Sequence, residues 1–200
     1  IHYTKQDGLP SNVILGIVED NDGKLWISTN DGISRFDPSL GTFKNFDIND
    51  GLQSNEFDRY AYGKTRDGAI LLGGIDGLNI FQPKQISDNP YIPPIVITDI
   101  SQGGESINSK GNTNNRANYI LGWPNNYFDF DYAALSFSNP QENQYAYKLE
   151  PFDKEWIEMG NRHFGRYTNL PGGDYTLKIK GSNNDGVWND GGISISIKVI

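Results

Sequence analysis

The feature that most constrains the fold of this chain is an internal repeat. The stretch DGKLWISTNDGISRFDP, residues 22–38, returns in looser form as DGAILLGGIDGLNIFQP at residues 67–83. The hexapeptide DGLPSN at residues 7–12 likewise returns as DGLQSN at residues 50–55. A period of roughly 40–45 residues is typical of β-propeller blades, in which each sheet buries its faces against neighbouring sheets. The repeat therefore predicts blades of a propeller.

Short β-branched and aromatic runs inside the repeat predict four strands per blade. In the first copy these runs cover residues 13–20, 24–29, 33–37 and 42–48. The opening IHYTK is predicted to be the last strand of a preceding blade, because Tyr3 falls where Phe46 does in the repeat.

Trp26 lies in the middle of a strand and is assigned to packing between blades. Two blades cannot close a ring, so we expect the chain to be a piece of a longer protein.

A second domain follows the repeat. Residues 1–83 are predicted to form two blades, and the proline-rich residues 84–94 a connector that disfavours both helix and sheet. Residues 95–200 contain about seven strand candidates with apolar and polar residues in alternation, as in ISISIKV near the end of the chain. The sequence thus predicts an all-β chain, a partial β-propeller of two four-stranded blades followed by an immunoglobulin- or fibronectin-III-like β-sandwich.

Charge and composition narrow the classes of ligand. The formal net charge is −8, which disfavours duplex nucleic acid and anionic membrane surfaces and favours a neutral or weakly charged ligand. The chain has no cysteine, which excludes disulfides, zinc–thiolate sites and thiol nucleophiles. No run of residues approaches the ~20 apolar residues of a membrane span.

The sequence carries no complete catalytic or metal motif. YGKT at 62–65 ends like a phosphate-binding loop, but Asp58 stands where its first glycine should be. GGIDG at 73–77 lacks a following helix, and in EDNDG at 19–23, which resembles a calcium loop, Val18 occupies the first ligand position. We expect no enzyme, cofactor or metal. A glycosidase stays open as an alternative, because linear sequence does not reveal the separation of paired carboxylates.

Five side chains are candidates for ligand contact. Arg59, Tyr60 and Tyr62 begin an inner-type strand, where propellers often line a binding surface, and alternation predicts that both tyrosines face the same side. Trp123 and Trp188 lie beside turn residues, where an exposed ring can stack on a sugar. For the tyrosines the alternative is blade core, and for the tryptophans it is closure of the sandwich end.

Two segments resemble known families. GLPSNVILGIVEDNDGKLWISTNDGISRFDP, residues 8–38, resembles the two-component regulator propeller repeat. Residues 132–190, from YAALSF to GVWND, resemble the triple-tyrosine (Y_Y_Y) domain that follows such propellers, with Pro151 in place of the family's usual glycine in LEPFD. The family's aromatic positions fall on Tyr145, Tyr147, Trp156, Tyr167 and Tyr175. We expect these to be structural, with rings buried and the tryptophan between the sheets, rather than ligand contacts.

The resemblance implies the C-terminal end of a periplasmic sensor region, of the kind gut Bacteroidetes use to detect glycans. In that family a membrane helix and cytoplasmic histidine-kinase and regulator parts follow. The resemblance further implies an oligosaccharide ligand bound by the complete region and a homodimer whose geometry relays ligand state. The alternative is a carbohydrate-binding or adhesion module without a signalling role.

Overall fold

The computed structural model describes residues 1–107, 118–122 and 126–200. Within these residues the chain forms sixteen β-strands and four short 3₁₀ turns, with no α-helix. They divide into two compact units, Ile1–Ser87 and Asp88–Ile200. The prediction of an all-β chain, with propeller blades followed by a sandwich, is confirmed.

The first blade is a four-stranded antiparallel sheet, as the sequence predicts. Its strands follow one another in space in chain order, β1(Ile14–Glu19), β2(Leu25–Thr29), β3(Ile33–Asp37) and β4(Thr42–Phe46). The turn between β2 and β3 needs a glycine, because Gly32 has φ +93° and a Cβ there would lie 2.4 Å from the carbonyl oxygen of Phe46.

The second blade has three strands, so the prediction of four strands in each copy is wrong here. The strands are β5(Phe57–Lys64), β6(Ile70–Gly74) and β7(Gly77–Phe81), in that order across the sheet. After Phe81 the chain enters the 3₁₀ turn Pro83–Gln85. Proline has no N–H to donate to a ladder, which explains why the chain turns away instead of adding a fourth strand.

The predicted strand in IHYTK is also wrong. Thr4 caps the 3₁₀ turn Lys5–Asp7 and exchanges hydrogen bonds with Asp7. Asp47 and Asp50 form the same capping box around the turn Ile48–Asp50, at the equivalent place of the second copy. The equivalence of the two copies is therefore correct, but a capped turn occupies the place where a strand was expected.

The two sheets of the first unit share a buried cluster. Val18, Trp26 and Ile33 come from the first sheet, and Phe57, Ile70 and Leu72 come from the second. The Trp26 ring centroid lies 4.7 Å from that of Phe81. The prediction that Trp26 packs between sheets is confirmed.

A buried carboxylate fixes this tryptophan. Asp20 accepts a hydrogen bond of 2.9 Å from the indole Nε1 of Trp26, and further bonds from the backbone N–H groups of Asp22 and Lys24. Burial raises the pKa of the Asp20 carboxyl, but these donors together outweigh burial, and the pKa lies below its usual value. Asp20 thus joins the hairpin turn to the inter-sheet core.

The described part of the second unit contains nine strands in two sheets. One sheet has the order β10-β16-β15-β12-β13 and the other β14-β11-β8-β9. The strands are β8(Ile95–Gln102), β9(Glu105–Ser106), β10(Asn118–Leu121), β11(Phe128–Ala134), β12(Tyr145–Glu150), β13(Ile157–Gly160), β14(Phe164–Tyr167), β15(Gly173–Ser182) and β16(Trp188–Val199). The seven predicted strands are present, and β9 and β10 were not predicted. Buried residues of both sheets form one core, as in a β-sandwich.

Asp20→Ala tests the carboxylate in the first unit. We expect it to lower the free energy of unfolding by about 1–3 kcal/mol, because three N–H donors lose their acceptor. The loss of free energy of unfolding is measured in urea, with hydrogen exchange of the β1 and β2 amides as the probe. The contribution of Asp20 is present above its unfolded pKa of about 3.9 and disappears as the pH falls through the lowered folded pKa.

The matched control is Asp22→Ala, since Asp22 is exposed in the same turn. We expect it to change the free energy of unfolding by less than about 0.5 kcal/mol. Equal effects of the two substitutions would contradict the assigned role of Asp20.

Candidate functional site

Strand β5 carries an irregularity beside three of the candidate residues. Its pairing with β6 jumps from Phe57 opposite Gly74 to Tyr62 opposite Leu72, so that residues 58–61 face a single partner residue. Within this bulge Tyr60 has φ +67°. The bulge interrupts the regular alternation expected for β5, and the expectation that Tyr60 and Tyr62 face the same side stays a prediction.

The bulge displays aromatic surface. Tyr60 is 81% exposed and Tyr62 is 43% exposed, and Arg59 is exposed beside them. A left-handed backbone conformation costs of order 1–3 kcal/mol for a residue with a side chain, and such strain clusters at functional sites. We name Arg59, Tyr60 and Tyr62 the β5 surface.

The β5 surface lies where the two blades converge. The two sheets approach each other mainly through β1 and β5. A Cβ at Gly16 of β1 would lie 2.4 Å from Cδ1 of Tyr62, so the absence of a side chain at Gly16 leaves room for this ring. In a propeller the innermost strands surround the central channel. Strands β1 and β5 are edge strands of their sheets and contact each other.

The chemistry of the β5 surface is that of binding. Two phenol rings offer faces for stacking, and the guanidinium of Arg59 offers fixed hydrogen-bond donors. Among the described residues no group of three or more His, Asp or Glu side chains is placed to hold a metal ion. Over the same part of the chain, no helix has the length and apolar character needed to cross a membrane.

The family's tyrosines lie inside the sandwich. Tyr145, Tyr147, Tyr167 and Tyr175 all belong to its buried core. The Tyr175 hydroxyl donates to the carbonyl oxygen of Pro171 at 2.8 Å, and the Tyr145 hydroxyl accepts from the backbone N–H of Ala134 at 3.2 Å. These contacts are those expected of structural tyrosines that pair their hydroxyls with backbone.

A fifth core tyrosine was missed from the sequence. Tyr132 is buried in β11, and its hydroxyl donates to the carbonyl oxygen of Arg162 at 3.1 Å. Burial raises the pKa of Tyr132, and it also raises that of Tyr167, whose hydroxyl donates to the carboxylate of Asp153. Apolar alternation through Phe128, Phe130 and Tyr132 was the signal available for this position.

Trp156 does not lie between the sheets, so that expectation is wrong. Ile179 points into the core, and its neighbour Lys180 therefore points away from it. The Lys180 Nζ atom lies 5.0 Å from the ring centroid of Trp156 and 4.9 Å from that of Trp188, and 3.6 Å from a carboxylate oxygen of Asp190. Both indoles are half-buried on the outer face and hold a cation between them.

The five ligand candidates are therefore not one cluster. Arg59, Tyr60 and Tyr62 share one strand of the first unit, while Trp188 contacts Lys180 in the second. Trp123 lies outside the described residues.

Comparison with known proteins agrees with this architecture. Residues 8–31 match the two component regulator propeller family, and residues 136–199 match the Y_Y_Y domain family. The matches fall on the first blade and on the sandwich, in the order that the sequence resemblance implies. The chain thus carries a two component regulator propeller repeat followed by a Y_Y_Y domain.

Two relatives align with nearly the whole chain. Histidine kinase P4 of Formosa agariphila is 30% identical over 202 residues, which are 98% of this chain and 15% of the relative. The solved extracellular domain of BT3049, assigned as a hybrid two component system of B. thetaiotaomicron, is 27% identical with a TM-score of 0.81. That match covers 98% of this chain and 27% of the solved chain. The chain thus spans a minor part of each relative.

Tyr60→Gly tests the strain in the bulge. We expect the free energy of unfolding to stay unchanged or to rise by up to about 2 kcal/mol, because relief of the left-handed conformation offsets the added backbone entropy of glycine. Urea denaturation measures this. A loss of more than about 1 kcal/mol would argue against strain at Tyr60.

Asn169→Gly is the matched control in the second unit. Among the residues that the structure describes, Asn169 is the other non-glycine residue with positive φ, at +56°, and it is exposed. Asparagine tolerates this conformation better than tyrosine does, so we expect a smaller gain than at Tyr60.

Proposed function

We propose that this chain is the C-terminal part of the extracytoplasmic sensor region of a hybrid histidine kinase and response regulator. The observation that carries the proposal is the order of its parts, a regulator propeller repeat followed by a Y_Y_Y sandwich. The similarity to the extracellular domain of BT3049 over 98% of the chain supports it. The proposed location is the periplasm, in a membrane-anchored parent protein.

The proposed ligand is an oligosaccharide, contacted in part by the β5 surface. Exposed tyrosine rings suit the apolar C–H faces of sugars, and Arg59 can donate to their hydroxyl oxygens. The net charge of −8 supports a ligand without strong negative charge. The position of the β5 surface on an edge strand that contacts β1 supports contact with a ligand in the propeller channel, with neighbouring blades completing the site.

The proposed role of the sandwich is relay without catalysis. A ligand that binds two arrangements of a receptor equally shifts no equilibrium, so relay requires unequal affinity for two states. The tyrosine-rich core, with its hydroxyls bonded to backbone and to Asp153, supports a stiff body that moves as a whole. We propose that this body transmits ligand state as a change in homodimer geometry.

Calorimetry of the complete sensor region against a panel of neutral oligosaccharides tests the binding part. For any glycan that binds, Tyr62→Ala and Arg59→Ala are expected to weaken binding by about tenfold or more, since each removes a direct contact. Arg66→Ala is the charge control, because Arg66 is exposed in the turn after β5. If Tyr62→Ala and Arg59→Ala leave the affinity as unchanged as Arg66→Ala does, the β5 surface is not part of the binding site.

Light scattering of the same region tests the relay. We expect the region to form a dimer, and we expect the average molar mass or the dimer dissociation constant to change when a glycan that binds is added. A monomer under both conditions would contradict the dimer relay and would favour a binding module without a signalling role.

A further inference from the structure

The sandwich unit carries an open groove that none of the roles above uses. The groove has a volume of about 550 Å³, within the range of small-molecule sites. We name it the sandwich groove. It is lined by Asn89, Tyr91, Leu135, Ser136, Phe137 and Ser138.

One wall of the sandwich groove is held by a buried asparagine. Asn183 is fully buried, and its Nδ2 donates to the carbonyl oxygens of Asn89 at 2.7 Å and Tyr91 at 2.8 Å. The backbone N–H of Asn89 donates to the carboxylate of Asp185. This segment was predicted to be a connector, yet several hydrogen bonds fix it to the sandwich.

A second buried asparagine holds the opposite wall. Asn143 is fully buried, and its Nδ2 donates to the carbonyl oxygen of Ser136 at 3.2 Å. The two walls are joined where the N–H of Leu135 donates to the carbonyl oxygen of Pro94 at 2.8 Å. Both walls are thus set by bonds from buried groups behind them, as in a binding site that is formed before the ligand arrives.

The walls display two aromatic rings to solvent. Phe137 is 81% exposed and Tyr91 is 48% exposed. A rigid backbone that presents apolar rings to water keeps them available for contact, and exposed aromatic rings on a rigid wall are typical of binding surfaces.

The polar groups of the groove indicate the class of ligand. None of its six lining residues carries a formal charge, and they offer hydroxyl and amide groups. The Ser136 hydroxyl is buried and has no partner within the described part of the chain, so the accessible serine hydroxyl and side-chain amide are those of Ser138 and Asn89. Stacking faces beside neutral donors and acceptors match a ligand with C–H faces and many hydroxyls.

We infer that the sandwich groove is a second carbohydrate site, which binds a neutral oligosaccharide by stacking on Phe137 and Tyr91. The choice of a glycan as ligand rests on the proposed function. The location does not, because the groove belongs to the sandwich unit and shares no residue with the β5 surface.

Saturation-transfer NMR of the 200-residue chain with neutral glucan, xylan and mannan oligosaccharides tests the inference. We expect at least one to bind with millimolar affinity, and Phe137→Ala and Tyr91→Ala each to weaken it at least about fivefold while circular dichroism stays unchanged. Phe164→Ala is the matched control, since Phe164 is also exposed but lines no part of the groove. It is expected to leave the affinity within twofold.

Tyr62→Ala in the same chain separates the two proposals. Loss of binding in the Phe137 and Tyr91 variants supports the sandwich groove, whether or not Tyr62→Ala also loses binding. Loss in Tyr62→Ala alone supports the β5 surface and overturns the groove. Absence of binding by every neutral oligosaccharide up to about 10 mM, or binding of a peptide at the groove in place of a glycan, would also overturn the inference.

Discussion

An apolar sheet face is stable only where something covers it, and the first unit depends on this constraint. On the first sheet Trp26 packs toward the second sheet on one face, and Phe36 packs with Tyr3 on the other, where Ile17 stays exposed. The second sheet has one covered face, because Leu78 and Ile80 of β7 stay exposed. This imbalance is what blades taken from a longer array would have, and it supports the proposal of a larger sensor region.

Local patterns predicted the strands, and long-range pairing explains the exceptions. The four strands of the first copy follow from β-branched runs and turn residues a few positions apart, which is information the sequence carries directly. The short strand Asn118–Leu121 pairs in parallel with residues of β16 such as Ser196, far along the chain, and four residues give too short a pattern to reveal this.

The candidate site was predictable in part. Arg59, Tyr60 and Tyr62 were found from their place in the repeat, but the positive φ of Tyr60 arises from the pairing of β5 with β6, which no single strand encodes. Trp156 lies just before β13, so the alternation of that strand did not predict the side on which its ring lies. The sandwich groove was missed because its two buried asparagines look like ordinary turn residues in the sequence.

The two capping boxes have a consequence for assembly of the chain. Thr4 with Asp7, and Asp47 with Asp50, each close a turn between residues three apart, so each can form before any sheet exists. Strands of similar copies are easily exchanged for one another during folding. A self-contained turn at the same place in each copy fixes where one blade starts. In an array built this way, the boundaries between blades stay the same while the sequences of the strands between them diverge.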